Sequence, residues 1–184
     1  MGKTIWQALA ATTAILFFAT TAQAQIETDG AYLGPHIGLG AYGNGISLGG
    51  DGEYILTKPG EAGPGRIGIG GTVDYWSWSS ASGGNDYYWT YSWVPIGVYG
   101  AYHFVLSDKK WDLFAGLGIG YIIVNATWHK PNGGLAETDY PAYSSGAYWS
   151  AVAGLRYFLS PGLALHARLG LGASVLSAGI NVRL

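Results

Sequence analysis

The chain has 184 residues, a net charge of −2 and no cysteine. It therefore has neither a disulfide framework nor the basic footprint of a nucleic-acid binder. Charged residues are 11% of the chain, against about 25% in an ordinary soluble domain, too few to cover a water-facing surface.

In chain order, residues 1–24 read as a secretory signal peptide. Lys3 gives the charged start, Ile5 to Ala19 is mostly apolar, and Ala22-Gln23-Ala24 is a small-x-small cleavage site. Residues 25–184 then form one domain, with no later apolar run long enough for a transmembrane helix. The first strand is expected from Gly30 to Tyr42, with Leu33, Ile37 and Leu39 on one face and Gly34, His36 and Gly38 on the other. Asn44-Gly45 is a strong type I′ hairpin signal. The second strand runs from Ile46 to Thr57, with Leu48, Tyr54 and Leu56 opposite Ser47, Asp51 and Glu53. Lys58 to Gly65 is a turn by composition.

The third strand, Arg66 to Trp78, sets Ile67, Ile69, Val73 and Tyr75 against Gly68, Gly70, Thr72 and Asp74. A polar loop, Ser79 to Asp86, leads into a long fourth strand, Tyr87 to Leu106, with Tyr99 and His103 on its polar face. The fifth strand is Trp111 to Thr127. The longest loop, Lys130 to Tyr143, precedes the sixth strand, Ser145 to Phe158. In the last stretch, Gly162 to Leu184, Leu163, Leu165, Ala167, Leu169 and Leu171 alternate with Ala164, His166, Arg168 and Gly170. Gly172-Ala173 fits a II′ turn, which puts Leu171 and Ser174 on one face. Leu176, Ala178, Ile180, Val182 and Leu184 then continue the oily face. The total is about eight strands joined by hairpins, an all-β, antiparallel, up-and-down pattern.

The export signal, the Gly-rich alternating strands and the closing LSAGINVRL resemble the small outer-membrane β-barrel family of the OmpA/OmpX and opacity types. The resemblance implies an eight-stranded transmembrane barrel in a bacterial outer membrane, reached through the periplasm, with both termini periplasmic. It also implies contact with outer-membrane lipid and lipopolysaccharide, and handling by periplasmic chaperones and the barrel-assembly machinery. The assembly signal of the final strand maps onto Leu176, Ile180, Val182 and Leu184; the family usually ends in Phe where this chain ends in Leu184.

The Leu/Ile/Val face is expected outward, because the opposite face is mostly small and suits a narrow lumen. That lumen face would hold Asp51, Glu53, Asp74 and Asp112 against Arg66, Arg156, Arg168 and Arg183, with His36, His103 and His166. These would pair into a polar plug, since an unpaired buried charge costs ~3–5 kcal/mol. Trp76, Trp78, Trp89 and Trp93 at one set of strand ends, and Trp111 and Tyr157 at the other, are expected as aromatic girdles at the two lipid boundaries. No cofactor or metal spacing is present. The one constellation with a reacting-group inventory is His129 with Glu137, Asp139, Ser144 and Ser145, whose plainer reading is polar loop residues. No enzyme is therefore expected. The functional expectation is a structural, surface-interaction or adhesion role toward an unspecified extracellular ligand. A narrow pore or lateral transporter stands second, and a lipid A-modifying enzyme third.

Overall fold

A computed structural model describes residues 30–40, 45–81, 88–129 and 143–184. The expected signal peptide, Asn44 and most of the two long loops lie outside them. The strands are β1 Ala31–Gly40, β2 Ile46–Ile55, β3 Glu61–Pro64, β4 Arg66–Ala81, β5 Tyr88–Phe104, β6 Trp111–His129, β7 Gly146–Ser160, β8 Leu163–Leu171 and β9 Ser174–Arg183. Eight of them close into one barrel in the order β1-β2-β4-β5-β6-β7-β8-β9. All barrel neighbours are antiparallel, and β1 meets β9 to complete the ring. Closure follows from the composition. An open sheet with one oily face would leave two edges of unpaired N–H and C=O groups, which hydrocarbon cannot satisfy.

Two local features depart from the sequence expectations. The turn segment after β2 contains β3, a short strand beyond the barrel whose start is clipped by a bridge between Gly60 and Gly63. In the last hairpin the turn lies at Gly172-Ala173, and Gly172 has φ +123°, a conformation that L side chains avoid. Leu171, however, points out, whereas Ser174 points in and bonds Asp74 and Ser47. The pairing of β1 with β9 slips by one residue there, Leu39 facing Leu176 but Gly40 facing Ser174. This bulge at Val175 returns Leu176 to the outer face.

The outer face is apolar along every barrel strand. Leu117 and Ile119 are 71% and 67% exposed, and Leu33, Ile37, Leu48, Val98, Leu169 and Leu171 are each more than half exposed. A water-soluble monomer rarely shows a contiguous apolar patch beyond a few hundred Å²; this one covers the circumference. Outward rings mark its rims. Tyr54, Phe104, Trp111 and Tyr157 lie toward the end where β1 begins and β9 ends, and Tyr75, Tyr121 and Trp149 toward the other.

Strands of 9–11 tilted residues span a bilayer core. β4, β5 and β6 have 16, 17 and 19 residues, so they outrun the band. Above Tyr75 and Ile123 the outward residues change to Ser77, Ser79, Thr90, Ser92, Asn125 and Thr127. These face one another across the strands, Ser77 opposite Ser92, Ser92 opposite Asn125, and Ser79 opposite Thr90 with their hydroxyls 3.2 Å apart. The change from Leu and Ile through Tyr to hydroxyls marks where lipid gives way to water, and leaves a three-stranded ridge above it.

Glycine on the inner face has a specific partner. Phe114 pairs with Gly154, Tyr99 with Gly70 and Tyr148 with Gly120, and a Cβ at any of these glycines would run into the facing ring. Each large inward ring thus lies flat over a cross-strand glycine.

Candidate functional site

The lumen is filled in three layers. Nearest the termini, Tyr32, Ile55, Phe158 and Ala164 form an apolar floor. At the opposite end Trp76, Tyr91, Trp93 and Ile122 form an aromatic layer against which Trp78, Trp89 and Tyr148 pack. Between them lies a charged waist, in which every strand of the barrel places at least one inward polar side chain or aromatic ring.

The waist has two lobes. In the lobe toward the floor, Arg156 is fully buried and bonds three groups. Its Nη2 donates to Glu53, its Nη1 to Asp112 Oδ2 at 3.2 Å, and its Nε to Asn181 Oδ1 at 2.9 Å. His103 spans the same two carboxylates, with Nδ1 2.9 Å from Asp112 Oδ1 and Nε2 3.3 Å from Glu53 Oε1. In the other lobe, Arg168 Nη2 donates to Asp51 Oδ2 at 2.5 Å and to Tyr99 Oη at 3.3 Å. His36 reaches Asp51 Oδ1 at 3.3 Å through Nδ1 and Asp74 Oδ1 at 2.9 Å through Nε2. His166 Nε2 stands 3.5 Å from Asp51 Oδ1, and neither of its ring nitrogens has a hydrogen-bond partner among the described residues. Asn181 joins the lobes, since its amide nitrogen donates to Asp51 Oδ2 at 3.2 Å while its oxygen accepts from Arg156. Phe114 lies between the two guanidinium groups, 4.8 Å from that of Arg156 and 5.6 Å from that of Arg168.

The structure thus brings together nine of the eleven lumen residues named from sequence: Asp51, Glu53, Asp74, Asp112, Arg156, Arg168, His36, His103 and His166. Arg66 and Arg183 also sit on the inner side, Arg66 opposite His103 across β4 and β5 and Arg183 opposite Tyr32 across β9 and β1. The sequence places Tyr99 on the polar face without joining it to the charged set, and leaves Asn181 and Phe114 out of that set. Asn181 lies two residues from Arg183 on the same face of β9 and Tyr99 four from His103 on β5, so alternation alone carries the signal. Leu176, Ile180, Val182 and Leu184 of the final strand all face outward.

The girdle assignment needs correction for four residues. Trp76, Trp78, Trp89 and Trp93 belong to the lumen, with Trp76 and Trp93 stacked at 5.7 Å between centroids. The reason is parity. Trp76 and Trp78 follow Asp74 by two and four residues, and Trp93 precedes His103 by ten, so all share the inward face. Trp111 and Tyr157 face outward and pack together at 4.7 Å. Of the reacting-group constellation, Glu137 and Asp139 lie outside the described residues. His129 stacks on Tyr88 at 4.5 Å, and the Ser145 hydroxyl accepts from the Val124 amide at 2.9 Å.

No protein-family model matches the chain, and no curated protein matches it. Among solved structures it is similar to a de novo designed transmembrane β-barrel, at 17% identity over 87% of this chain and 99% of that one, with TM-score 0.47. It is also similar to Ail, the attachment invasion locus protein of Yersinia pestis, in complex with the heparin analogue sucrose octasulfate (10% identity, 84% and 93% coverage, TM-score 0.47). A third is the N-terminal β-barrel domain of Pseudomonas aeruginosa OprF (12% identity, 85% and 98% coverage, TM-score 0.47).

Proposed function

We propose that this chain is an integral outer-membrane β-barrel with a sealed lumen, serving a structural or surface-interaction role. The observation that carries this reading is the inversion of the usual solvent logic. Large apolar side chains ring the outside, while ion pairs and rings fill the inside. An eight-stranded barrel has an interior only wide enough for side chains, and here the floor, waist and aromatic layer occupy it at three levels. What is left for contact with the surroundings is the ridge of β4, β5 and β6 with the loops it carries. Its outer face is hydroxyl-rich and its inner face is Trp78, Trp89 and Tyr91, closed over by Tyr143 at 5.3 Å from the Tyr91 ring. In the same reading, acyl chains of the outer membrane cover the apolar band, and the assembly machinery reads the outward residues of β9.

Planar-bilayer recording tests the sealed lumen. The purified barrel is expected to insert without stable single-channel conductance; a large, steady conductance would instead support the narrow-pore reading. The lipid-facing band is tested by Leu117→Arg. A cation at the midplane of a transmembrane barrel costs about 2–4 kcal/mol, so urea unfolding from lipid vesicles should show a loss of that size. An unchanged midpoint would place Leu117 in water.

A further inference from the structure

We propose that the upper lobe of the waist is a binding site for one divalent transition ion of the Zn²⁺ class, held by His36 Nδ1, Asp51 Oδ1 and His166 Nε2. This rests on the barrel reading only in needing the lumen to be formed. One donor atom from each of the three residues lies within 4.8 Å of the other two. Asp51 Oδ1 is 3.3 Å from His36 Nδ1 and 3.5 Å from His166 Nε2. Ligands about 2.0–2.1 Å from a tetrahedral zinc are separated by about 3.3–3.5 Å, so these edges already have the size of a coordination shell.

Three further observations point to an ion. His166 is 4% exposed, and both its ring nitrogens lack a hydrogen-bond partner among the described residues. A buried imidazole aimed at a carboxylate without bonding it calls for something between them. The outer support is also in place. His36 turns its Nε2–H to Asp74 Oδ1 at 2.9 Å, the carboxylate–histidine relay that orients metal-bound imidazoles and fixes which nitrogen faces the metal. Asp51 is divided in the same way. Its Oδ2 accepts from Arg168 and Asn181, which neutralise and anchor the carboxylate and leave Oδ1 to the ion. Two imidazoles and one carboxylate suit zinc, cobalt or nickel better than calcium or magnesium, which take oxygen shells. The ion takes the place of the proton between His36 Nδ1 and Asp51 Oδ1, so one proton is released as it binds. A cavity lined by His36, Asp74, Arg168, Ser174 and Ser177 adjoins the lobe at His36, on the side of the Gly172 turn.

The test uses the purified, folded barrel in detergent, stripped with chelator and dialysed against Zn²⁺ or Co²⁺. The expected result is one ion per barrel, a tetrahedral visible spectrum with Co²⁺, and affinity at least tenfold lower in His166→Ala. His129→Ala, which removes an imidazole at the far end of β6, should keep the full equivalent. Absence of a bound ion in the folded wild type overturns the proposal, as does affinity unchanged in His166→Ala or lost in His129→Ala; the last two would mean an adventitious ion only. If His166→Ala does not fold, the wild-type Co²⁺ spectrum decides, because an octahedral one excludes this ligand set. Conductance is a separate readout, so a leaky barrel that binds the ion and a sealed one that does not are distinguishable.

Discussion

Arg156→Met should destabilise the folded barrel by about 3–5 kcal/mol, the usual cost of removing one member of a buried ionic cluster. Arg156 has no exposed surface and donates to Glu53, Asp112 and Asn181. Methionine fills much of the volume but offers no donor. His103 alone then faces two carboxylates, and Asn181 loses a donor. The instructive comparison is with Arg156→Met combined with Glu53→Gln and Asp112→Asn. That variant removes the stranded charges with their partner, so its loss should be smaller than that of the single substitution. Such non-additivity is what a shared network produces. Urea unfolding followed by tryptophan fluorescence reads both. Were the single variant within about 1 kcal/mol of wild type, Arg156 would be exposed to water rather than buried.

Gly34→Ala is the second large effect, and it acts on closure. Gly34 lies on the inner face of β1 beside β9. A Cβ there would overlap the carbonyl oxygen of Ile180 and come within 2.7 Å of its carbonyl carbon. The obstacle is backbone, so no rotamer change relieves it, and the β1–β9 seam must part. A loss on the order of 4 kcal/mol or more is expected, in the range reserved for named structural damage. In gel electrophoresis without heating, the compact fast-migrating form should vanish. Gly100→Ala is the control: its Cβ meets nothing nearer than 4.0 Å, and the variant should stay within about 0.5 kcal/mol of wild type. Equal behaviour of the two variants would show that the close approach at Gly34 does not exist.

Alternation made most of this architecture legible. Leu33, Ile37 and Leu39 against His36, or Leu165 and Leu169 against His166 and Arg168, separate outside from inside without any coordinates. The same parity was available for Trp76 and Trp93, two residues from Asp74 and ten from His103. Reading those rings by type, as boundary residues, overrode a clearer positional signal. The outward rings are Tyr54, Phe104, Trp111 and Tyr157 toward one end and Tyr75, Tyr121 and Trp149 toward the other, on the face opposite the polar one. Other features were not legible. Which acid meets which base depends on the stagger between strands, and that is a property of the closed ring. Asp51 meets Arg168 across 117 positions and Glu53 meets Arg156 across 103. Beside the bulge at Val175, Ser174 reaches Asp74 on β4, a long-range contact that no local pattern encodes.

The inward charges are also sorted along the chain. All four inward acids, Asp51, Glu53, Asp74 and Asp112, come from β2, β4 and β6, where Arg66 is the one inward arginine, whereas β7, β8 and β9 contribute Arg156, Arg168 and Arg183 and contain no acid. A nascent sheet still open at its seam therefore carries opposite potentials on its two halves, anionic first and cationic last. Curling lowers that potential difference, and a partner strand docked from another copy in the wrong register leaves part of it uncancelled. Because the pairs are so distant in sequence, their stabilisation arrives late, after most loop-closure entropy has been spent. Commitment to the membrane-inserted form is thus tied to the moment when β1 and β9 meet.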